Sequence, residues 1–263
     1  MDEGDVWFPR HASDEWLCLC RKEWSVSDNV YIFAHIPKTG GTTLRRHFER
    51  HLKPHSTFIH LASSGERKAV EKKGLAPFAQ RSEEERNKAQ VILGHLVDKD
   101  TYKLVPGRTP KHVIFWREPV SWVASRYNWV MNSNKNKGEP VIDFDVWYNE
   151  TEQRQSQIFW FLRHYGKMRM ARFKSPAKKL DAAYDLLSTF SMVSLTERLN
   201  DDAPMIFRLL GVPEEFKSAN VAGVRHEKLL TPSDELREKL SVKLAPDIEL
   251  YEALKAKPSK IEL

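Results

Sequence analysis

Four apolar runs rich in β-branched and aromatic residues punctuate the chain, and each is short enough for a single strand. They are VYIFAHI (30–36), QVILGHL (90–96), HVIFW (112–116) and SMVSLTE (191–197). The first three are almost continuously apolar, which is typical of strands covered on both faces. Segments with helical periodicity separate most of these runs, and this alternation favours parallel βα units over an antiparallel meander. The pattern predicts an α/β fold of three layers, with a central, mainly parallel sheet and helices on both faces.

The polar and apolar positions between the runs predict the helices and the domain organisation. Leu44, Phe48 and Leu52 recur every four residues and predict a helix after the first run. NSNKNKGEP (132–140) reads as a polar loop, and residues 233–254 read as helix with an interruption near Pro246. Because the chain has neither an internal repeat nor a Pro/Gly/Ser-rich linker, it predicts one domain over residues 1–263. That domain has an N-terminal extension (1–28) and a core of about residues 30–255.

Composition excludes several classes of protein. With 263 residues, 41% hydrophobic and 30% charged, the chain is that of a soluble globular protein large enough to bury a core. No apolar stretch approaches the roughly 20 residues of a membrane helix. The N-terminus, MDEGDVWFPR, is acidic where a signal peptide is basic. We therefore expect a cytoplasmic protein without a membrane span, and leave open an anchor removed before residue 1.

The net charge of +6 and the pI near 9.2 suggest an anionic partner. Nucleic acid, an anionic glycan, a membrane surface and a phosphorylated cofactor all fit, and so does a merely solvated basic surface. The two cysteines, Cys18 and Cys20, would point to opposite faces of an extended segment, so we predict neither a disulfide between them nor a shared metal.

The segment HIPKTGGTTLRRHF (35–48) joins the first apolar run to the predicted helix through two adjacent glycines. A strand, a glycine turn and a helix N-terminus together form a phosphate site, because backbone N–H groups and the helix dipole converge on an anion. The ATP/GTP loop places lysine after its last glycine, whereas here lysine comes first, and a plain tight turn is the structural alternative. The candidate phosphate ligands are Lys38, Thr39, Gly40, Gly41, Thr42 and Thr43.

A second candidate anion site lies in HVIFWREPVSWVASRY (112–127). Arg117 follows a strand that ends at Trp116, and Pro119 suits the first position of a helix. Ser125 comes eight residues after Arg117, inside that helix. The arginine fork suits a phosphate dianion, and a serine hydroxyl can complete the cradle. In isolation, Arg117 could instead be an ion-pair residue and Ser125 a packing residue.

His95 follows the second apolar run, at the strand end where open α/β sheets place their active sites. Histidine is the natural general base near neutral pH. Alternatively, His95 could be a structural residue whose ring is satisfied by hydrogen bonds, as a lone histidine often is.

These motifs resemble those of sulfotransferases that use 3′-phosphoadenosine 5′-phosphosulfate (PAPS), in the branch that includes heparan sulfate 2-O-sulfotransferase. Residues 37–43 are similar to that branch's 5′-phosphosulfate loop, P-K-T-G-G-T-[ST], at every position. Arg117 and Ser125 resemble its 3′-phosphate motif, and Gly94-His95 resembles the position of its catalytic histidine. Leu93 stands where some members have a second histidine. The similarity spans roughly residues 30–255, and only the two phosphate motifs are diagnostic.

The resemblance implies a P-loop-like sulfotransferase fold and O-sulfation by in-line displacement. PAPS would be the co-substrate, 3′-phosphoadenosine 5′-phosphate (PAP) the product, and no metal would be required. His95 would take the acceptor proton, and Lys38 would stabilise the leaving oxygen. The acceptor would be a hydroxyl-bearing carbohydrate or small metabolite, including an anionic glycan. A phosphate contact from Arg225 stays open. Within this branch, the lack of an apparent anchor favours a soluble bacterial enzyme over a truncated Golgi one.

Two other functions remain as alternatives. A nucleotide or small-molecule kinase would need a magnesium ligand at a neighbouring strand end, where this chain has Gly94-His95 and Asp98 comes late. A nucleic-acid-binding protein would cluster its basic residues, which here are scattered among acidic ones. We therefore expect no nucleic-acid partner.

Overall fold

The computed structural model describes residues 28–61, 75–151, 155–170, 173, 175–215 and 227–263. The N-terminal residues 1–27, with Cys18 and Cys20, lie outside the described residues, and so does Arg225.

The described residues form one six-stranded sheet in the order β2-β3-β1-β4-β5-β6. The strands are Asn29–Ala34 (β1), Phe58–His60 (β2), Val91–Gly94 (β3), Thr109–Trp116 (β4), Met192–Leu195 (β5) and Lys260–Ile261 (β6). All pairs are parallel except β5 with β6, which is antiparallel. The four predicted strands and the mainly parallel sheet are confirmed. Both strands that the pattern missed have three residues or fewer, too short to show a period.

Helices connect and cover the strands. They are Gly41–His51 (α1), Leu75–Ala79 (α2), Glu83–Arg86 (α3), Pro119–Lys137 (α4), Phe144–Thr151 (α5), Gln157–Trp160 (α6), Pro176–Ser188 (α7), Leu199–Leu209 (α8), Asp234–Lys243 (α9) and Ala245–Lys255 (α10). A π-helical turn, Phe161–Tyr165, continues α6. The interruption expected near Pro246 is confirmed at Leu244, which separates α9 from α10. In the described ranges, no helix combines the length and the apolar character that crossing a bilayer requires.

Alternate residues of β1 face two separate hydrophobic clusters, one on each side of the sheet. Tyr31 and Phe33 belong to the cluster that α1 and α8 cover, with Phe48 and Phe207 at its centre. Val30, Ile32 and Ala34 belong to a larger cluster that α4 to α7, α9 and α10 contribute to. The predicted three-layer arrangement is therefore confirmed.

The loop predicted over residues 132–140 is wrong in its first six residues, because α4 continues to Lys137 and ends at Gly138, whose φ is 73°. Asn132 is buried there, and its Nδ2 donates to the carbonyls of Asn128 (2.7 Å) and Glu227 (2.9 Å). Its Oδ1 accepts from the Glu227 N–H at 3.1 Å. Asn132 therefore bonds the backbone of a segment distant in sequence and does not form a loop.

Candidate functional site

The register of the sheet brings three strand ends to one edge. Ala34, the last residue of β1, lies beside Gly94 of β3 on one side and beside Ile114 of β4 on the other. The chain leaves β1 toward β2 on the β3 side, while β4 lies on the opposite side, so the strand order reverses at β1. Open α/β sheets bind ligands in the crevice at this point. The structure thus places the glycine loop, His95 and Arg117 at the same edge.

The glycine loop leaves the N-terminus of α1 open to an anion. Gly40, at φ 86°, caps the helix, and its carbonyl accepts from the N–H groups of Thr43 and Leu44. The first turn holds neither an acidic residue nor a side-chain cap. Among the described residues, the N–H groups of Gly41 and Thr42 donate to no other group. Unsatisfied N–H groups at a helix N-terminus form a ready anion site.

The side chains of the loop have different environments. Thr39 is buried, and its hydroxyl donates to the Ile36 carbonyl at 2.8 Å, which holds the turn together. Thr43 is buried in the first turn of α1, and Thr42 is half-buried beside it. Lys38 is half-buried at φ 71°; burial, and secondarily the charge of Arg117, lowers its pKa. Among the described residues, its ammonium makes no ion pair.

Arg117 joins the second candidate anion site to the first. Its Nη1 donates to the Lys38 carbonyl at 3.0 Å. Burial lowers the pKa of Arg117, while Glu197 and Glu118 oppose that shift from a distance. Within the described part of the chain, no carboxylate reaches ion-pair distance of this guanidinium. A half-buried cation without a paired anion is a suitable phosphate ligand.

The helix α4 makes a further contact with the loop. Pro119 is its first residue, as predicted, and Trp122 Nε1 donates to the Pro37 carbonyl at 2.6 Å. Ser125 lies three residues beyond Trp122, on the same face of α4, and is half-buried. The structure shows no hydrogen bond between Ser125 and either Arg117 or the loop.

His95 has a defined tautomer. Its Nδ1 lies 3.0 Å from the His35 carbonyl oxygen. Because a carbonyl can only accept, Nδ1 carries the proton in the neutral ring, and the lone pair is on Nε2. Burial lowers the pKa of His95 below its usual value of 6.5; the bond to the His35 carbonyl opposes this, and the charge of Arg45 adds to it. A neutral imidazole with a basic Nε2 suits a general base.

Gly94 has a structural reason to precede His95. Its φ is 154°, and a Cβ there would lie 1.9 Å from the Leu61 carbonyl oxygen. That carbonyl also accepts from the Leu96 N–H at 3.1 Å, so the segment after β2 passes close to the end of β3 at this point. Only glycine allows this close approach, which aims His95 into the site.

The sequence did not reveal the second imidazole beside His95. The His35 and His95 rings stack with centroids 4.3 Å apart, and the buried His35 Nδ1 has no hydrogen-bond partner among the described residues. A Cβ on Gly41 would lie 2.0 Å from the His35 Nε2, so this ring fills the space between Gly41 and His95. The signal was available in principle, because His35 and His95 each follow a strand residue, and those two residues are paired in register.

Other groups near His95 also carried no clear signal in the sequence. Trp160 lies edge-on to His95 at 6.4 Å, and its ring is 5.1 Å from that of His164. His164 is presented by the π-helical turn. Burial, with Arg45 and His95, lowers the pKa of His60 to about 4. Burial also lowers the pKa values of His35 and His164, so the imidazoles near His95 favour their neutral forms.

Asp98, the magnesium ligand that a kinase would need here, has other partners. Asp98 forms an ion pair with Lys167 at 2.6 Å, and its Oδ1 accepts from the Asp100 N–H at 2.9 Å. In the ranges that the structure describes, no group of three or more histidines, cysteines or acidic residues is placed to hold a metal ion.

Comparison with known proteins gives one distant likeness to report. No protein-family model matches the chain, and no curated protein matches it. Among solved structures, it is similar to a sulfotransferase from Alicyclobacillus acidocaldarius, with 16% sequence identity and a TM-score of 0.48. The alignment covers 87% of this chain and 96% of that one. Because the likeness is this distant, we argue the function from the site itself.

Proposed function

We propose that the chain is a sulfotransferase that moves a sulfuryl group from PAPS to a hydroxyl of a carbohydrate or small-molecule acceptor. One observation carries this proposal: the Arg117 guanidinium, at the end of β4, bonds the Lys38 carbonyl in the glycine loop at the end of β1. This bond holds together two candidate phosphate sites, one containing Lys38 and the other Arg117, that follow adjacent strands. A ligand with two separate phosphate groups, such as the adenosine bisphosphate part of PAPS, matches that arrangement.

The residues present fit such a ligand. The open N–H groups of Gly41 and Thr42 and the hydroxyls of Thr42 and Thr43 would hold the 5′-phosphate. Thr39 would contribute its backbone N–H, since its hydroxyl holds the turn. Gly40 would let the backbone approach closely, and Arg117 with Ser125 would hold the 3′-phosphate.

The chemistry would then depend on alignment and charge. His95 Nε2 would take the proton of the acceptor hydroxyl as its oxygen attacks sulfur. Lys38 would stabilise the charge on the bridging oxygen as its bond to sulfur breaks. By analogy with phosphoryl transfer, positioning would supply most of the rate enhancement, and the proposal requires no metal. The acceptor class, from small metabolite to anionic glycan, is to be found with a panel of acceptors and mass spectrometry of the sulfonated product.

Ligand binding tests the two-site arrangement directly. We expect PAP to bind more tightly than AMP, which lacks the 3′-phosphate. Replacing Arg117 with alanine should weaken PAP binding by about 10- to 100-fold, the value of one or two charge-assisted hydrogen bonds. AMP binding should weaken less, since AMP loses only the support that Arg117 gives to the Lys38 carbonyl in the glycine loop. Isothermal titration calorimetry with both nucleotides measures this.

The matched control is Arg50→Ala, which removes an exposed arginine from the far end of α1. It should lower the affinities for PAP and AMP equally or not at all. Equal binding of PAP and AMP by the unmodified protein would contradict the proposed function.

The pH dependence of the rate tests His95 as the base. Its neutral form is the active one, and its pKa lies below 6.5, mainly because of burial. We therefore expect kcat/KM to fall tenfold per pH unit on the acid side of the lowered pKa, and to reach half its maximum at a lower pH than an ordinary histidine would give. Steady-state kinetics with an acceptor found by that panel give the profile. Half-maximal activity at a pH above the ordinary histidine pKa would argue against His95 as the base.

A further inference from the structure

Arg117 occupies a position where the backbone leaves the sheet, so its peptide groups need partners outside β4. The buried side chain of Gln157 bonds both the N–H and the carbonyl of Arg117. The Arg117 N–H donates to Gln157 Oε1 at 3.1 Å, and Gln157 Nε2 donates to the Arg117 carbonyl at 2.8 Å. Gln157 is only 1% exposed. This two-bond contact fixes the plane of the Arg117 backbone as a neighbouring strand would.

Gln157 is itself held by a buried carboxylate. It is the first residue of α6, and its N–H donates to Asp247 Oδ1 at 2.6 Å. The Ile158 N–H donates to the same oxygen at 3.1 Å, and the Ser156 hydroxyl donates to Oδ2 at 2.7 Å. Asp247 lies in the first turn of α10 and is 4% exposed. A carboxylate at a helix N-terminus stabilises that end through the open N–H groups and the dipole.

These contacts form a continuous path from α10 to the glycine loop. Asp247 holds the start of α6, Gln157 holds the Arg117 backbone, and the Arg117 guanidinium reaches the Lys38 carbonyl. No other described side chain bonds the Arg117 peptide groups. The direction of the guanidinium therefore depends on a glutamine 40 residues further along the chain.

From this geometry we infer that Gln157 is a positioning residue for the 3′-phosphate of the nucleotide, acting through the Arg117 backbone, with Asp247 as its anchor. The inference rests on the proposed function, because it assigns the 3′-phosphate to Arg117. It gives Gln157 a role in discrimination between nucleotides and not in the stability of the fold alone. The 5′-phosphate is assigned to the N–H groups at the start of α1, which this path reaches only through the Lys38 carbonyl, so AMP binding should depend on Gln157 less than PAP binding does.

The test compares PAP and AMP binding in two variants. Gln157→Met keeps the volume and removes both bonds to Arg117. Gln157→Glu keeps the acceptor for the Arg117 N–H but turns a carboxylate oxygen toward the Arg117 carbonyl. In both variants we expect the preference for PAP over AMP to fall about tenfold, with a smaller change in AMP affinity than in PAP affinity, as measured by calorimetry.

The chain provides a matched control in Gln155, which is also 1% exposed and lies two residues away. Its Nε2 donates to the Thr151 hydroxyl at 2.7 Å and not to Arg117. Gln155→Met should lower the thermal midpoint without changing the preference for PAP. If Gln157 had only a structural role, its variants would also lower the thermal midpoint without changing the preference for PAP. That result would overturn the inference.

A second measurement needs no variant. Amide hydrogen exchange in the unmodified protein should show the Arg117 N–H as slow as a strand amide, although it lies beyond β4. Fast exchange there would contradict the buried Gln157 contact even if the Gln157 variants failed to fold. An unmodified protein that does not prefer PAP over AMP would contradict the proposed function, whereas normal preference in a folded Gln157→Met variant would contradict this inference alone.

Discussion

Replacing His95 with alanine should reduce turnover by about 10²- to 10⁴-fold, the usual contribution of a positioned general base, while PAP binding stays within a few-fold of normal. The physical reason is that the Nε2 lone pair is removed, whereas the groups proposed to bind the phosphates lie on α1 and after β4. Steady-state rates of product formation by mass spectrometry and calorimetry with PAP separate the two effects.

Loss of the ring also removes the stacking partner of His35, so a second variant is needed. His95→Asn can keep a donor to the His35 carbonyl through its amide but has no basic nitrogen. It should be as inactive as the alanine variant and bind PAP normally. His51→Ala, at the exposed end of α1, is the matched control and should keep full turnover. Full turnover in either His95 variant would rule out its role as the base.

Replacing Gly94 with alanine should have the largest effect on folding, lowering the free energy of unfolding by about 3 kcal/mol or more. The added Cβ would lie 1.9 Å from the Leu61 carbonyl oxygen, which is backbone and cannot rotate away. The chain after β2 would have to separate from the end of β3, breaking the bond from the Leu96 N–H to Leu61. Urea denaturation followed by circular dichroism measures the loss.

Gly138→Ala separates the clash from the cost of the backbone angle alone. Gly138 has a φ of 73°, and a Cβ there would meet no atom within 4 Å. It should lower stability by only about 1 kcal/mol, the cost of a left-handed conformation for alanine. Similar losses of unfolding free energy in the two variants would show that the backbone at Leu61 can move away from residue 94.

The extent to which the fold followed from the pattern depends on strand length and burial. β1 and β4 are long and central, and their apolar runs marked them clearly. β2 and β6 have three and two residues, and their place in the sheet depends on pairing with β3 and β5. Residues 132–137 looked like a loop because asparagine usually satisfies its own backbone in turns. Here Asn132 binds the backbone of another segment, which a local pattern cannot show.

Some residues of the candidate site could likewise be found from the sequence, and others only from the structure. The glycine loop, Arg117 and His95 could be found because each stands directly after a recognisable strand, and parallel strands end at one edge. His35 could be placed against His95 only once the register of β1 and β3 was known. Gln157 had no local signal at all, since its function depends on a backbone 40 residues away.

Lys38 holds a conformation, at φ 71°, that glycine adopts without cost and lysine does not. The loop therefore gives up roughly 1 kcal/mol to keep a cation at this position and to turn its carbonyl toward Arg117. A search for more thermostable versions of this protein would tend to select glycine at residue 38. In the proposed sulfotransferase, stability and catalysis would make opposite demands on this single backbone angle.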